Sequence, residues 1–522
     1  MKFLSVVSAI ALVFITRAKA ACWSESLGYP CCTETNQIFD IDENGEWGVQ
    51  NSGWCGIPKY NNGSCWSKDY GYNCCITTNE VVYQDNDGEW GVENNDWCGI
   101  PKKSNGSPSQ PPSQPPSQPQ PEKTTTVNPP PEPTSSKPSN IPDKPPVTYL
   151  NNTKDPAEKC DISDSISGDS LYKSAPFRMG VGLYGTNKES SPVFSKKMRE
   201  IIKYQFNSVT FTNLMKAEFM LDKSACQASA KNGDGMPVLK FDTIVDGLEF
   251  CKENNIKMRG HTLVWHTQAP EWFFHTDYSD NGKYVDKNTM TKRMESYIKQ
   301  MLEFVDYYYP GVIDVWDVVN EAVEIANGQF DNSSGWNTRT KFGNNQTNPW
   351  YATMGSDYVF QAFRFARKYA APGTKLIYND FNTFQQPKTD RISTLVQKLK
   401  AEKLIDGVGL QSYLGPDWPN RNDYKSAIQK FASLGVEIQI TELTISIANG
   451  NNKFSAQANH YRDVFKIYKD LKKSGVNITS VTVFGLQDHY LFYDNDSTET
   501  RLWDGNLQKK SAYNAVMGVL KG

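Results

Sequence analysis

Between residues 177 and 486 the chain repeats one alternation eight times: a short apolar or β-branched run, then a longer stretch with helical spacing. The runs are 177–184, 208–213, 257–265, 312–319, 375–380, 407–413, 437–443 and 480–486. A parallel return between neighbouring strands needs a crossover, and a helix supplies it, whereas an antiparallel return needs only a tight turn. Eight such units imply an α/β fold, a (β/α)8 TIM barrel over about residues 151–522. An open doubly wound sheet is the alternative. No Gly-rich phosphate turn follows a strand, which counts against its nucleotide-binding versions.

Upstream of the barrel, the apolar run Phe3–Ile15 follows Lys2 and precedes Ala18-Lys19-Ala20. It is too short to span a bilayer and reads as a secretory signal, residues 1–20, cut after Ala20. No later apolar run is long enough for a membrane helix. A secreted product permits disulfides among the 11 Cys and glycans at the sequons Asn62, Asn105, Asn151, Asn332, Asn345, Asn477 and Asn495. With a net charge of −3 and no basic block, the chain lacks the footprint of a nucleic-acid binder.

Cys22, Cys31, Cys32 and Cys55 recur 43 residues later as Cys65, Cys74, Cys75 and Cys98, with Trp23, Tyr29, Asp42, Trp47 and Trp54 recurring in step as Trp66, Tyr72, Asp85, Trp90 and Trp97. Two modules, 21–60 and 64–103, are each too small for a self-sufficient core and need staples. Vicinal pairing of Cys31 with Cys32 is strained, which leaves 22–31 with 32–55 or 22–32 with 31–55. Asn-Gly at Gly45 and Asp-Gly at Gly88, each before Glu-Trp-Gly-Val, read as hairpin turns in small β-rich modules. A Pro/Ser/Gln/Thr linker, 104–150, then reads as an extended spacer without a fold. Of the remaining Cys160, Cys226 and Cys251, at most one pair can bridge, and Cys251 is the expected free, buried thiol.

Polar residues at the C-terminal ends of barrel strands form the active site in such folds. The fourth run ends Trp316-Asp317-Val318-Val319-Asn320-Glu321 and the seventh Gln439-Ile440-Thr441-Glu442. Two facing carboxyls at a barrel mouth suit glycosidic cleavage: one protonates the leaving oxygen and the other attacks the anomeric carbon. The third run carries Arg259-Gly260-His261-Thr262-Leu263-Val264-Trp265-His266-Thr267-Gln268. Polar groups beside a Trp at one strand end fit a sugar subsite.

On these residues the barrel resembles glycoside hydrolase family 10, the retaining endo-β-1,4-xylanases. Asn213-Leu214-Met215-Lys216, Tyr378-Asn379-Asp380 and Gly485-Leu486-Gln487-Asp488 extend the likeness over nearly all of 160–522. The resemblance implies Glu321 as acid/base and Glu442 as nucleophile. It implies Asn320 at the 2-hydroxyl of the reacting sugar, and His261, Asn213, Lys216, Trp265 and Gln268 along the glycone subsites. Gln411 would sit beside the nucleophile, and Tyr413, Phe484 and Phe492 would face the substrate. No metal or cofactor is implied, and a monomeric barrel acting on xylan is expected.

The chain departs from the family pattern at several points. Tyr413 stands where the family has His, and Thr444 where it has Asp. The family pair normally forms a hydrogen-bonded chain with the nucleophile. Thr212 replaces a Glu, and Phe484 and Phe492 replace two Trp. A smaller Phe492 implies a more permissive glycone site. An enzyme of the same fold acting on glucan and a non-catalytic sugar-binding barrel are the other readings.

The tandem modules resemble fungal dockerins, related to carbohydrate-binding module family 10. That implies docking to a cellulosome scaffold protein through Tyr29, Asp42 and Trp47 and through Tyr72, Asp85 and Trp90. The alternatives for these aromatics are a cellulose-binding face and simple packing.

Overall fold

The computed structural model describes residues 141–151, 155–447, 453–488 and 499–522, and short segments between residues 24 and 100. The chain divides into two compact units, Met1–Pro130 and Pro131–Gly522. In the first unit, Asp40–Ile41, Glu46–Gln50 and Gly53–Gly56 form an antiparallel sheet. The same ladder recurs at Tyr83–Gln84, Glu89–Glu93 and Asp96–Ile100, with Asn73–Cys74 added in parallel. Antiparallel strands therefore flank both expected hairpin dipeptides. Cys55 is buried and disulfide-bonded.

In the second unit eight parallel strands close on themselves. They are β1 (Arg178–Leu183), β2 (Ser208–Phe211), β3 (Lys257–Trp265), β4 (Ile313–Asn320), β5 (Lys375–Asp380), β6 (Gly407–Leu410), β7 (Glu437–Ile445) and β8 (Ile478–Val483). Each pairs with its sequence neighbours, and β8 pairs back onto β1, so the sheet has no free edge. The outer ring is α1 (Lys196–Gln205), α2 (Val245–Glu253), α3 (Lys287–Tyr308), α4 (Tyr358–Tyr369), α5 (Gln386–Ala401), α6 (Arg421–Ser433), α7 (Lys453–Lys473) and α8 (Ser511–Lys521). Helix starts follow from local chemistry: Ser195 caps α1 by accepting from Met198 N, and Asp286 caps α3 by accepting from Asn288 N and Thr289 N.

Strands covered on both faces read as continuous apolar runs. β7 is buried at every position and β3 at all but its ends. Gly260 has a packing reason: a Cβ there would come within 2.2 Å of the Trp316 ring, itself 1% exposed. Register sets the mouth of the barrel, with Trp265 opposite Asn320 and Asn320 opposite Asn379.

Two expectations are corrected. The spacer does not extend to residue 150, because 141–151 packs on the barrel. Ile141 and Tyr149 are buried, Tyr149 N donates to Asp246 on α2 at 2.7 Å, and Lys144 pairs with Glu249 at 2.9 Å. The sixth strand ends at Leu410 rather than Tyr413, because Ser412 takes φ +66 and leaves the ladder. Cys160, Cys226 and Cys251 are all free; Cys251 is fully buried, and burial pushes its thiol far up.

Asp306, near the end of α3, accepts from Ala371 N at 3.1 Å, and burial pushes its carboxyl up to about 6. A carboxyl raised by folding favours the native state at low pH. That preference is lost as pH rises from about 4 to about 6. Asp306→Asn keeps the acceptor and removes the charge. It should stabilise the protein by about 1–2 kcal/mol above pH 6 and by nothing near pH 4. Urea unfolding at the two pH values checks this, and equal effects at both would contradict it.

Candidate active site

The floor of the site is a buried charge cluster. Arg259 on β3 grips Asp317 on β4 through both terminal nitrogens, at 2.5 and 3.1 Å, and its Nε donates to Gln439 on β7 at 2.6 Å. His261 Nδ1 lies 2.9 Å from the same carboxylate. Burial alone would raise the Asp317 carboxyl; the Arg259 guanidinium and His261 hold it below the usual range.

Above this floor lie the two glutamates. Glu442 sits within β7, 5% exposed, with its N–H bound to Gln411 O at 3.0 Å. Its Oε1 accepts from Asn379 Nδ2 at 2.8 Å and its Oε2 from Tyr413 OH at 2.6 Å. Glu321 follows the last residue of β4 at φ +56, a left-handed conformation that a residue with a Cβ adopts only when its surroundings hold it. Its N–H donates to Asn379 O at 2.9 Å, and its carbonyl accepts from Arg339 Nε at 2.9 Å. Its Oε1 accepts from Gln411 Nε2 at 2.9 Å and Asn320 Nδ2 at 3.1 Å.

One amide oxygen joins the two sides. Asn320 Oδ1 accepts from Asn379 Nδ2 at 2.9 Å and from Gln411 Nε2 at 3.2 Å. Thr441 Oγ1 in turn donates to Asn379 Oδ1 at 2.7 Å, which fixes that amide's orientation. Burial, then the charge of Asp380, pushes the Glu321 carboxyl above its ordinary range against the pull of Gln411. Asp380 is itself fully buried. It pairs with Lys388 on α5 at 2.7 Å and accepts from Tyr378 OH at 2.5 Å and Phe381 N at 2.8 Å.

The expected glycone residues converge. Lys216 Nζ donates to Asn213 Oδ1 at 3.1 Å and Gln268 Oε1 at 2.7 Å and lies 4.4 Å from the centre of the Trp265 ring. Burial presses its ammonium down to about 8, against the pull of Glu442 and Glu321. Trp350 supports this corner, donating from its indole N–H to Trp265 O at 3.0 Å and packing edge-on against Phe274. His261, by contrast, lies in the floor, 2% exposed. Phe484 meets the Tyr413 ring edge-on, with centroids 6.1 Å apart. Thr444 is in register with Tyr413, and the Thr212 hydroxyl is buried without a hydrogen-bond partner.

Besides His261, one placement differs from expectation. The main chain of Gln411 is beside Glu442, but its side chain turns to Glu321. Both lone-pair acceptors within reach of its amide, Glu321 Oε1 and Asn320 Oδ1, lie on the β4 side. Phe492, Tyr29, Asp42, Tyr72 and Asp85 lie outside the described residues, and Trp47 and Trp90 occupy equivalent strands of the two modules. The residues that sequence reasoning did not single out are Asn379, Asp317, Arg339, Asp380 and Lys388. Three of them sit in motifs that were legible, yet nothing in a strand pattern says which amide bridges two carboxyls. Among the described residues no group of three or more His, Cys, Asp or Glu could hold a metal ion, and no helix is long and apolar enough to cross a membrane.

Residues 172–519 match the model of glycosyl hydrolase family 10. The chain belongs to glycosyl hydrolase family 10. Residues 21–57 and 64–100 each match a cellulose or protein binding domain. Among relatives, the family 10 barrel is 44% identical over 312 residues to a Caldicellulosiruptor saccharolyticus protein that carries an endo-1,4-beta-xylanase name, 57% of this chain and 95% of that one. It is 40% identical over 347 residues to endo-1,4-beta-xylanase B of Butyrivibrio fibrisolvens, 65% of this chain and 51% of that one. The chain thus spans about half the length of that second, longer relative. Among solved structures, it resembles the N-terminal CBM22-1 and GH10 modules of a Clostridium thermocellum endo-1,4-beta-D-xylanase complexed with xylohexaose. The TM-score there is 0.60 at 33% identity, with 67% of each chain covered. An endo-1,4-beta-xylanase from Caldicellulosiruptor owensensis gives a TM-score of 0.54 at 32% identity, with 67% of this chain and 99% of that one covered.

Part of the rise in the Glu321 carboxyl of this family 10 barrel comes from Asp380, which gives a direct test. Asp380→Asn should move the Glu321 titration, followed by carbon-13 NMR of its labelled carboxyl, downward by about half a unit or more. Leaving Lys388 without a counter-charge should also cost about 3–5 kcal/mol of stability. Adding Lys388→Met should recover much of the stability while the titration stays low. An unmoved titration would remove Asp380 from the electrostatics of the site.

Proposed function

We propose that the barrel is an endo-1,4-β-xylanase that cleaves with retention of configuration, Glu321 acting as acid/base and Glu442 as nucleophile. The observation that carries this reading is the unequal setting of two carboxyls in one amide network. Glu321 has burial and the Asp380 charge against its ionised form. Glu442 accepts a hydrogen bond on each oxygen from a neutral donor. An acid that must hold a proton and a carboxylate that must attack need those two environments. In the first step Glu321 gives its proton to the glycosidic oxygen as Glu442 forms an ester with the anomeric carbon. In the second, Glu321 takes a proton from the water that cleaves the ester. Xylan as substrate is supported by family membership, by relatives named as xylanases and by the cluster of Lys216, Trp265 and Gln268.

Glu442→Ala should lower kcat by several orders of magnitude, since it removes the covalent route. Proton NMR of the first-formed sugar from a β-linked substrate should detect the β-anomer, and an initial α-anomer would sink the retaining assignment.

We also propose that the chain is secreted through residues 1–20 and that the paired modules dock onto a scaffold protein rather than onto cellulose. Two linked copies of a weak module raise avidity without new contacts. The intact chain, carrying Glu442→Ala, should bind a cellulosomal scaffold preparation and stay in the supernatant with crystalline cellulose. Replacing Trp47 and Trp90 together by Ala should abolish scaffold binding. Pelleting with cellulose and no scaffold binding would reverse the assignment.

A further inference from the structure

Tyr413 occupies a place built for reach. Ser412 turns out of the β6 ladder at φ +66. Its hydroxyl bonds Leu410 O at 3.1 Å and shares a hydrogen bond with Tyr424 OH at 2.6 Å, and Tyr424 shares another with Tyr468 OH at 2.9 Å. This buried chain of hydroxyls holds the turn from two helices, α6 and α7. Beyond it Tyr413–Leu414 pairs with the end of β7, placing Tyr413 against Thr444. The Tyr413 residue is 42% exposed, its ring packs on the edge of Phe484, and its hydroxyl points inward to Glu442 Oε2 at 2.6 Å. From this position a phenol reaches the carboxylate unaided, and Thr444 beside it carries no charge.

We propose that Tyr413 is a positioning residue acting through Glu442, its hydroxyl and the Asn379 amide together clamping both carboxylate oxygens with donors that keep their protons across the neutral range. This rests on Glu442 being the nucleophile. A carboxylate pinned at both oxygens is held in one rotamer, which shortens the search for an attacking geometry. A charge-assisted hydrogen bond also favours the ionised form. An imidazole at this position would exchange its proton between about pH 5 and 8 and change the clamp as it did so. Tyr413 does not. Burial and the neighbouring carboxylates push its hydroxyl far above the neutral range.

The charged groups facing Tyr413 come from three elements: Glu442 on β7, Glu321 after β4, and Arg501 beyond β8. Lys216, facing both glutamates from beyond β2, titrates near 8, on the alkaline side. Removing the Tyr413 donor should therefore be read on the acid limb of the pH profile, since an attacking carboxylate must be ionised.

The experiment is the pH dependence of kcat/KM on an aryl β-xylobioside for the intact protein, Tyr413→Phe, Tyr413→His and Glu442→Ala. Tyr413→Phe keeps the ring on Phe484 and removes only the donor. It should lower kcat/KM by about 10- to 100-fold and raise the acid limb by about half a unit or more. Tyr413→His should add a second ionisation between about pH 5.5 and 7.5. An acid limb that stays put in Tyr413→Phe overturns the proposal, since loss of ring packing alone moves rate or stability and not that limb. Residual activity of Glu442→Ala above about one per cent would overturn the nucleophile assignment instead. An inactive Glu442→Ala beside a silent Tyr413→Phe leaves that assignment standing and removes only the role of Tyr413.

Discussion

Everything at the mouth of this barrel stands on a charge pair with almost no water. Arg259 is 1% exposed and Asp317 fully buried, and moving either alone out of solvent costs several kcal/mol. The geometry repays that cost. Both terminal nitrogens of the guanidinium meet the carboxylate, and Nε crosses to Gln439 on β7. One ion pair thereby ties together β3, β4 and β7, the strand that presents His261 and those that lead to Glu321 and Glu442. Removing one partner would strand a buried charge directly under the reacting groups.

The upper layer is made of neutral amides rather than charges. Asn320 and Asn379 face each other in register at the ends of β4 and β5, and Gln411 follows the last residue of β6. Amides suit this place because each offers donors and an acceptor without a charge that would perturb the carboxyls. The rise in the Glu321 carboxyl then comes first from burial and second from the charge of Asp380, which is itself paired with Lys388. The left-handed turn at Glu321 belongs to the same design. Its backbone is held by Asn379 and Arg339, so an uncommon conformation is over-determined by hydrogen bonds from two directions.

Much of this was legible in order of residues. All eight runs matched their strands to within about three residues, because strands buried on both faces leave a continuous apolar signature that polar loops interrupt. Glu321 and Glu442 stood out because a charged residue closing such a run is conspicuous. The side chain of Gln411 was harder to place. Its main chain neighbours Glu442 as its strand position implies, but a three-bond side chain chooses among acceptors only after the barrel closes. The end of the spacer was missed for a related reason. Residues 141–150 hold three prolines that continue the spacer's pattern, yet Ile141 and Tyr149 find a buried place that no local pattern announces.

Sequence by itself determined the alternation of strand and helix, the duplicated Cys modules, the two glutamates and the substitutions at 413 and 444. Those depend on periodicity and on residue identity, which are local properties. Tertiary structure decided which amides join the carboxyls, that burial and the charge of Asp380 raise the Glu321 carboxyl, and that Tyr413 reaches the oxygen of Glu442. These are contacts between residues 29 to 91 positions apart. Their distances follow from the closure and stagger of eight strands, and stagger is a property of the whole barrel that no single segment encodes.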